Sequence, residues 1–150
     1  MDATLLIADG PSPARDALED FFSRCGFRVV TAGSGLECLE KARVWEPEVL
    51  VIDWELPRGG AAAVLPLLSE EHFEFEPPAV LLVIGDAPPA VLSEGAGVPR
   101  ASCLQKPVDA EHLLDRVGLA IAWIDLHRNW EAPLRRRQLG RLREAEACLT

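Results

Sequence analysis

Apolar residues along the chain fall into two kinds of segment. The first kind is short and unbroken: Thr4–Ala8 (TLLIA), Val49–Ile52 (VLVI), Ala79–Ile84 (AVLLVI) and the weaker Ala101–Gln105 (ASCLQ), with Phe27–Ala32 (FRVVTA) as a further member after Gly26. Runs without polar alternation predict strands buried on both faces, as in a parallel sheet. The second kind has helical spacing. Ala14, Ala17, Leu18, Phe21, Phe22 and Cys25 form one stripe, with Ser12 as its cap and Pro13 at the first helical position. Leu36, Leu39, Ala42 and Trp45 form a second, closed by Pro47. Ala61–Leu68 is a third helix, weakened by Pro66, and Pro88–Glu94 a short fourth. Asp109 caps a fifth, with Leu113, Leu114, Val117, Ile121 and Ile124 as its stripe.

Strand and helix thus alternate five times. This order predicts an α/β fold, a doubly wound parallel sheet with helices on both faces and right-handed crossovers. Five units are too few for an eight-stranded barrel. The last helical pattern does not stop where such a domain should. From Asp109 to Cys148 it is interrupted once, at Pro133; helical throughout, it would span about 60 Å. We therefore divide the chain into a sheet domain, 1–127, and a C-terminal helical extension, 128–150. In the extension Leu134, Leu142 and Leu149 are spaced by eight and seven, a possible two-stranded coiled-coil seam. Trp123 and Trp130 fall seven apart, on one helix face, and Trp130 is expected at a dimer contact.

Charge sharpens that division. The formal net charge is −9 over 150 residues. Residues 1–127 hold 9 basic and 21 acidic groups, net −12, whereas residues 128–150 hold 6 and 3, net +3. An acidic body is a poor nucleic-acid ligand, and the arginines at 135, 136, 137, 141 and 143 are better read as a solvated or dimer-pairing face. No apolar run reaches ~18 residues, and the start shows no secretory pattern; a cytoplasmic protein without membrane spans is expected. Cys25, Cys38, Cys103 and Cys148 form no CxxC and are expected to be buried thiols rather than bridges.

Ligands of open parallel sheets bind beyond the carboxyl ends of the strands, where strand order reverses. The residues that follow or close the runs are Asp9, Asp53, Ile84-Gly85 and Lys106-Pro107. Two carboxylates and an ammonium on one edge are suited to phosphoryl chemistry, in which an aspartate carries an acyl phosphate and cations neutralise charge. Each has a plainer reading: Asp9 as a helix cap, Asp53 as a strand-end acid, Lys106 as a solvated lysine. Gly33-Ser34-Gly35 lacks the third glycine of a dinucleotide loop and is read as a helix entry. Beyond Asp53 the sequence offers no general base or nucleophile pair, and an enzyme is the least favoured class.

LLIADG (5–10), GFRVVTAGSGLECLEKA (26–42), PEVLVIDWELP (47–57), the fourth strand and QKP (105–107) resemble the CheY-like receiver domains of two-component response regulators. The resemblance covers roughly residues 4–127 and implies a flavodoxin-like sheet of order 2-1-3-4-5. It implies that Asp53 is the phosphoacceptor, that Lys106 pairs with the phosphoryl group and that Asp9 is the first of an acidic pair binding Mg2+. Three positions depart from the family pattern. Gly10 replaces the second acid, Ile84 the hydroxyl residue ending the fourth strand (Val83 is one residue away), and Cys103 the switch aromatic. These departures imply a weakened or absent Mg2+ site, with Glu55 as a substitute oxygen beside Asp9 and Asp53. They also imply a direct Lys106–Asp53 pair in the resting protein. The ending RLREAEACLT resembles the linker helix before a LuxR-type helix-turn-helix domain, and no such domain occurs in these 150 residues. The expected function is a receiver with a degenerate phosphorylation pocket, acting by homodimerisation through its last helix and its extension. DNA would be reached only through a domain outside this chain. The alternative is a receiver that accepts phosphate on Asp53 from a histidine kinase with Mg2+.

Overall fold

Five parallel strands form one sheet in the order β2-β1-β3-β4-β5: β1 (Thr4–Ala8), β2 (Arg28–Ala32), β3 (Val49–Asp53), β4 (Ala79–Ile84) and β5 (Cys103–Gln105). The computed structural model describes residues 3–68, 78–85 and 102–126. The unbroken apolar runs behave as their composition demands. Every residue of β1 and β3 is buried, because helices cover both faces of the sheet. On one face Leu6, Ala8, Leu50 and Ile52 pack with residues of α2 (Gly35–Trp45) and α3 (Gly60–Val64). On the other, Leu5, Ile7, Val49 and Val51 meet Phe22 of α1 (Pro13–Arg24) and Leu113, Val117 and Ile121 of α4 (residues 110–126).

Local signals set the helix ends. Ser12 accepts from the Arg15 N–H at 3.1 Å with Pro13 opening α1, and Ser34 accepts from the Glu37 N–H at 3.2 Å. Gly26, at φ +96°, makes the left-handed turn into β2. Pro66 has no N–H to continue an α-helical ladder, so α3 gives way to a 3-10 turn over Leu65–Leu68. The expected α4 stripe is present: Leu113, Val117 and Ile121 are buried, with Leu114 and Ile124 half-buried.

Three expectations are corrected. The buried face of α2 is Gly35, Cys38 and Ala42, while Leu36 is 67% and Trp45 45% exposed. Small residues face inward because the helix lies close against its neighbours: a Cβ on Gly35 would come 2.9 Å from the Arg58 carbonyl oxygen. On α1 the two alanines, Ala14 and Ala17, are exposed, and burial narrows to Phe22 with Leu18 and Phe21 beside it. Cys25 is exposed, since it caps the helix where the chain turns away, whereas Cys38 is buried and Cys103 half-buried. The expected helix at Pro88–Glu94, the extension 128–150 with Trp130, and Cys148 lie outside the described residues.

The Gly35 contact gives a stability prediction. Gly35→Ala, although it favours helix, places a methyl against backbone and against Val64 Cγ2 at 3.0 Å. It should destabilise the domain by about 1–3 kcal/mol, read as a lower urea midpoint at unchanged slope.

Candidate functional site

The order 2-1-3-4-5 reverses direction between β1 and β3, so the chain leaves those two strands towards opposite faces and a crevice opens at their carboxyl ends. Ala8 pairs with Ile52, which brings Asp9 and Asp53 side by side one step further along. Ile84 pairs with Gln105, which brings Lys106 to the same edge from β5. The stem of Lys106 passes over Gly85: its Cδ lies 3.8 Å from where a Cβ would sit on that glycine.

The three expected groups do meet. Asp53 is 5% exposed, and its two oxygens have different partners. Oδ1 accepts the Glu55 N–H at 2.8 Å, and Oδ2 is ion-paired with Lys106 Nζ. The hydrogen bond that the Lys106 ammonium donates to Asp53 comes first in holding it above the usual lysine range; burial opposes this, and the charges of Asp53, Asp9 and Glu55 add to it. Asp9 is half-buried. Its Oδ1 accepts the Gly10 N–H at 2.7 Å, and its backbone carbonyl accepts Arg15 Nη1 at 3.1 Å. Burial, and then the charge of Asp53, raise the Asp9 carboxyl above the usual aspartate range, and a side-chain hydrogen bond with Asp53 adds to this. The Gly10 N–H and Lys106 pull the other way.

Glu55 does not join the carboxylates as an oxygen donor. The turn after β3 lays its backbone N–H on Asp53 and leaves its side chain exposed. Among the described residues no three His, Cys, Asp or Glu side chains gather as a metal-binding group. Mg2+ is a small hard cation that wants several oxygens. The donor set here is two carboxylates, one of them already bonded to an ammonium, and it does not fit a resident Mg2+ ion. Of the switch positions, Cys103 is half-buried against the cluster beneath α2 and α3. Ile84 closes β4, and its neighbour Val83 is buried on the α1–α4 face. Sequence reasoning missed the part played by backbone: the Glu55 and Gly10 N–H groups leave no side-chain signature.

No family model matches the chain. A curated relative, the alkaline phosphatase synthesis transcriptional regulatory protein PhoP of Bacillus subtilis, is 29% identical over 86 residues, 57% of this chain. That match spans only about a third of the relative, 35% of its length. Among solved structures, a response regulator receiver domain protein from Clostridium thermocellum superposes with a TM-score of 0.67 at 25% identity, covering 83% of this chain and 98% of that one. A CheY-like receiver domain protein from Methanospirillum hungatei JF-1 gives 0.70 at 22% identity, covering 85% and 99%. The structural neighbours are CheY-like receiver domains, and the chain has their fold.

Two measurements probe the charges. The Asp9 carboxyl is raised in the fold, so its contribution favours folding below the unfolded pKa and is lost as pH rises through the folded value. At neutral pH its ionisation therefore costs stability. Asp9→Asn keeps an acceptor for the Gly10 N–H and should raise the thermal midpoint at pH 7, the gain fading below about pH 4. Lys106→Met leaves Asp53 buried without its cation. It should cost about 1–2 kcal/mol in a denaturant titration, less than the ~3–5 of a fully buried pair because Lys106 is 45% exposed.

Proposed function

We propose that this chain is the receiver module of a two-component response regulator, working in the cytoplasm with a degenerate phosphorylation pocket, and that its output is self-association. One observation carries the reading: Asp53, the position of the phosphoacceptor, is already ion-paired with Lys106 while Gly10 stands where a second acid would be. A pocket whose phosphoacceptor position is neutralised from within has less need of an added phosphoryl group or cation to hold one conformation. Ile84 and Cys103 stand where a hydroxyl and an aromatic would relay a phosphoryl signal. A hydrogen bond to a charged oxygen is worth ~1.5–3 kcal/mol. Its loss at Ile84 would slow acceptance of phosphate by at least about tenfold.

The second reading, a phosphorylation-competent receiver served by a histidine kinase, is favoured by the meeting of Asp9, Asp53 and Lys106 at one strand edge. In it an Asp53 oxygen attacks the phosphorus of the donor, the donor's bond to phosphorus breaks, and an acyl phosphate forms.

Self-association is placed on α4 and residues 128–150. Leu119, Trp123 and Leu126 are 64%, 61% and 66% exposed, and their spacing of four and three is that of a coiled-coil seam. In sequence Trp130 continues it by four. A transcriptional output would come from a domain outside this chain, as the curated relative is a transcriptional regulatory protein of which this match spans 35%. Among the described residues no helix is long and apolar enough to cross a membrane.

Sedimentation of the full chain, and of a truncation after Arg128, with and without beryllofluoride and Mg2+ tests the proposal. The expected result is a donor-independent dimer for the full chain and a monomer for the truncation. Association that appears only with beryllofluoride supports the competent receiver instead.

A further inference from the structure

Asp9 and Asp53 adjoin at the ends of β1 and β3, and Lys106 brings one positive charge to Asp53. An ammonium is a compact point charge. Here it occupies the role of counter-ion to a carboxylate that is 5% exposed. A divalent ion entering the same crevice would meet that ammonium and would find only Asp9 unshared with it. What is lacking is a third oxygen, and Gly10 is where the chain could carry one.

Nothing in the backbone forbids a side chain there. Gly10 does not have the positive φ seen at Gly26, Gly59 and Gly60. A Cβ built on it would lie 3.5 Å from Pro57 Cγ and 3.7 Å from Pro57 Cδ, ordinary van der Waals distances. The contact also gives the direction: Pro57 lies in the loop after Asp53, so a side chain at 10 leans across the crevice towards β3 rather than out along β1. This contrasts with Gly35, where backbone stands 2.9 Å away and the glycine is obligatory for packing.

We infer that the Lys106 ammonium is the resident cation of this pocket in place of a divalent metal, and that the exclusion of the metal is set by one side chain, at position 10, rather than by the frame of the fold. The inference rests on the reading of Asp9, Asp53 and Lys106 as a receiver pocket and explains what makes that pocket degenerate. Divalent binding is lost through a position that the surrounding structure leaves sterically free, so the cation requirement of the module is separable from its architecture.

The test is calorimetric titration of MgCl2 into the full chain and into Gly10→Asp, with the thermal midpoint followed at rising MgCl2 and at matched NaCl. The wild-type chain should show no saturable heat and no Mg2+-specific rise in midpoint. Gly10→Asp should show both, with affinity at least about tenfold above wild type, since a directly bound oxygen should exceed what outer-shell changes achieve. Gly10→Asn, which is isosteric and uncharged, should fold like wild type and stay silent to Mg2+. A Gly10→Asp that is unstable without Mg2+ and recovered by it also supports the inference, since the added charge then needs the ion. The inference is overturned by saturable Mg2+ binding to wild type, by a folded Gly10→Asp that ignores Mg2+, or by failure of Gly10→Asn to fold. None of these arms contains a phosphodonor or reads association, so a receiver reading that fails in sedimentation leaves this result interpretable.

Discussion

A carboxylate buried at the end of the central strand is the constraint around which the rest of this structure is arranged. Asp53 is 5% exposed, and a buried ionised group is tolerated only when it is hydrogen-bonded and paired. The near partner is local: the turn after β3 folds the Glu55 N–H back onto Oδ1. The distant partner is Lys106, which reaches Oδ2 from the far end of β5. That second contact depends on the whole sheet. The strands must be parallel for their carboxyl ends to share an edge, and the lysine stem passes over Gly85, just after β4.

The neighbouring carboxylate bears the consequence. Asp9 is brought beside Asp53 by the register of β1 on β3, but the lysine charge goes chiefly to Asp53. What remains for Asp9 is the Gly10 N–H and the more distant pull of Lys106, which do not offset burial and the Asp53 charge. The pocket is thus unevenly satisfied: one acid is well compensated and the other is held with its carboxyl raised. Such a cluster gains more from losing a charge than from being crowded by another, unless a cation comes with it.

The helices have a different relation to the pocket. α2 and α3 on one face and α1 and α4 on the other exclude water from the sheet and so create the low-dielectric setting in which the Asp53–Lys106 pair matters. Their outward sides are not equivalent. α4 keeps Leu119, Trp123 and Leu126 exposed opposite its buried Leu113, Val117 and Ile121. Among the described residues α4 is thus apolar on two sides, one covered by the sheet and one exposed.

Much of this was legible in the residues themselves. Unbroken runs such as TLLIA and VLVI announce strands covered on both faces; Ser12-Pro13 and Ser34 announce helix starts; Pro66 announces the end of a helical ladder. These are local effects, carried by a few neighbouring residues, and local effects survive in a sequence. The strand-terminal positions of Asp9, Asp53 and Lys106 were legible for the same reason. What required the tertiary structure was everything decided between segments. The inward face of α2 is chosen by how closely Gly35 approaches the Arg58 carbonyl, not by its larger apolar residues. What Glu55 gives Asp53 is its backbone N–H, a group every residue but proline has and no pattern marks. The division of one lysine between two carboxylates, and the free space beside Gly10, depend on distances across strands that are far apart along the chain. Sequence periodicity records which side of an element is apolar; only packing determines which polar groups are left to answer one another.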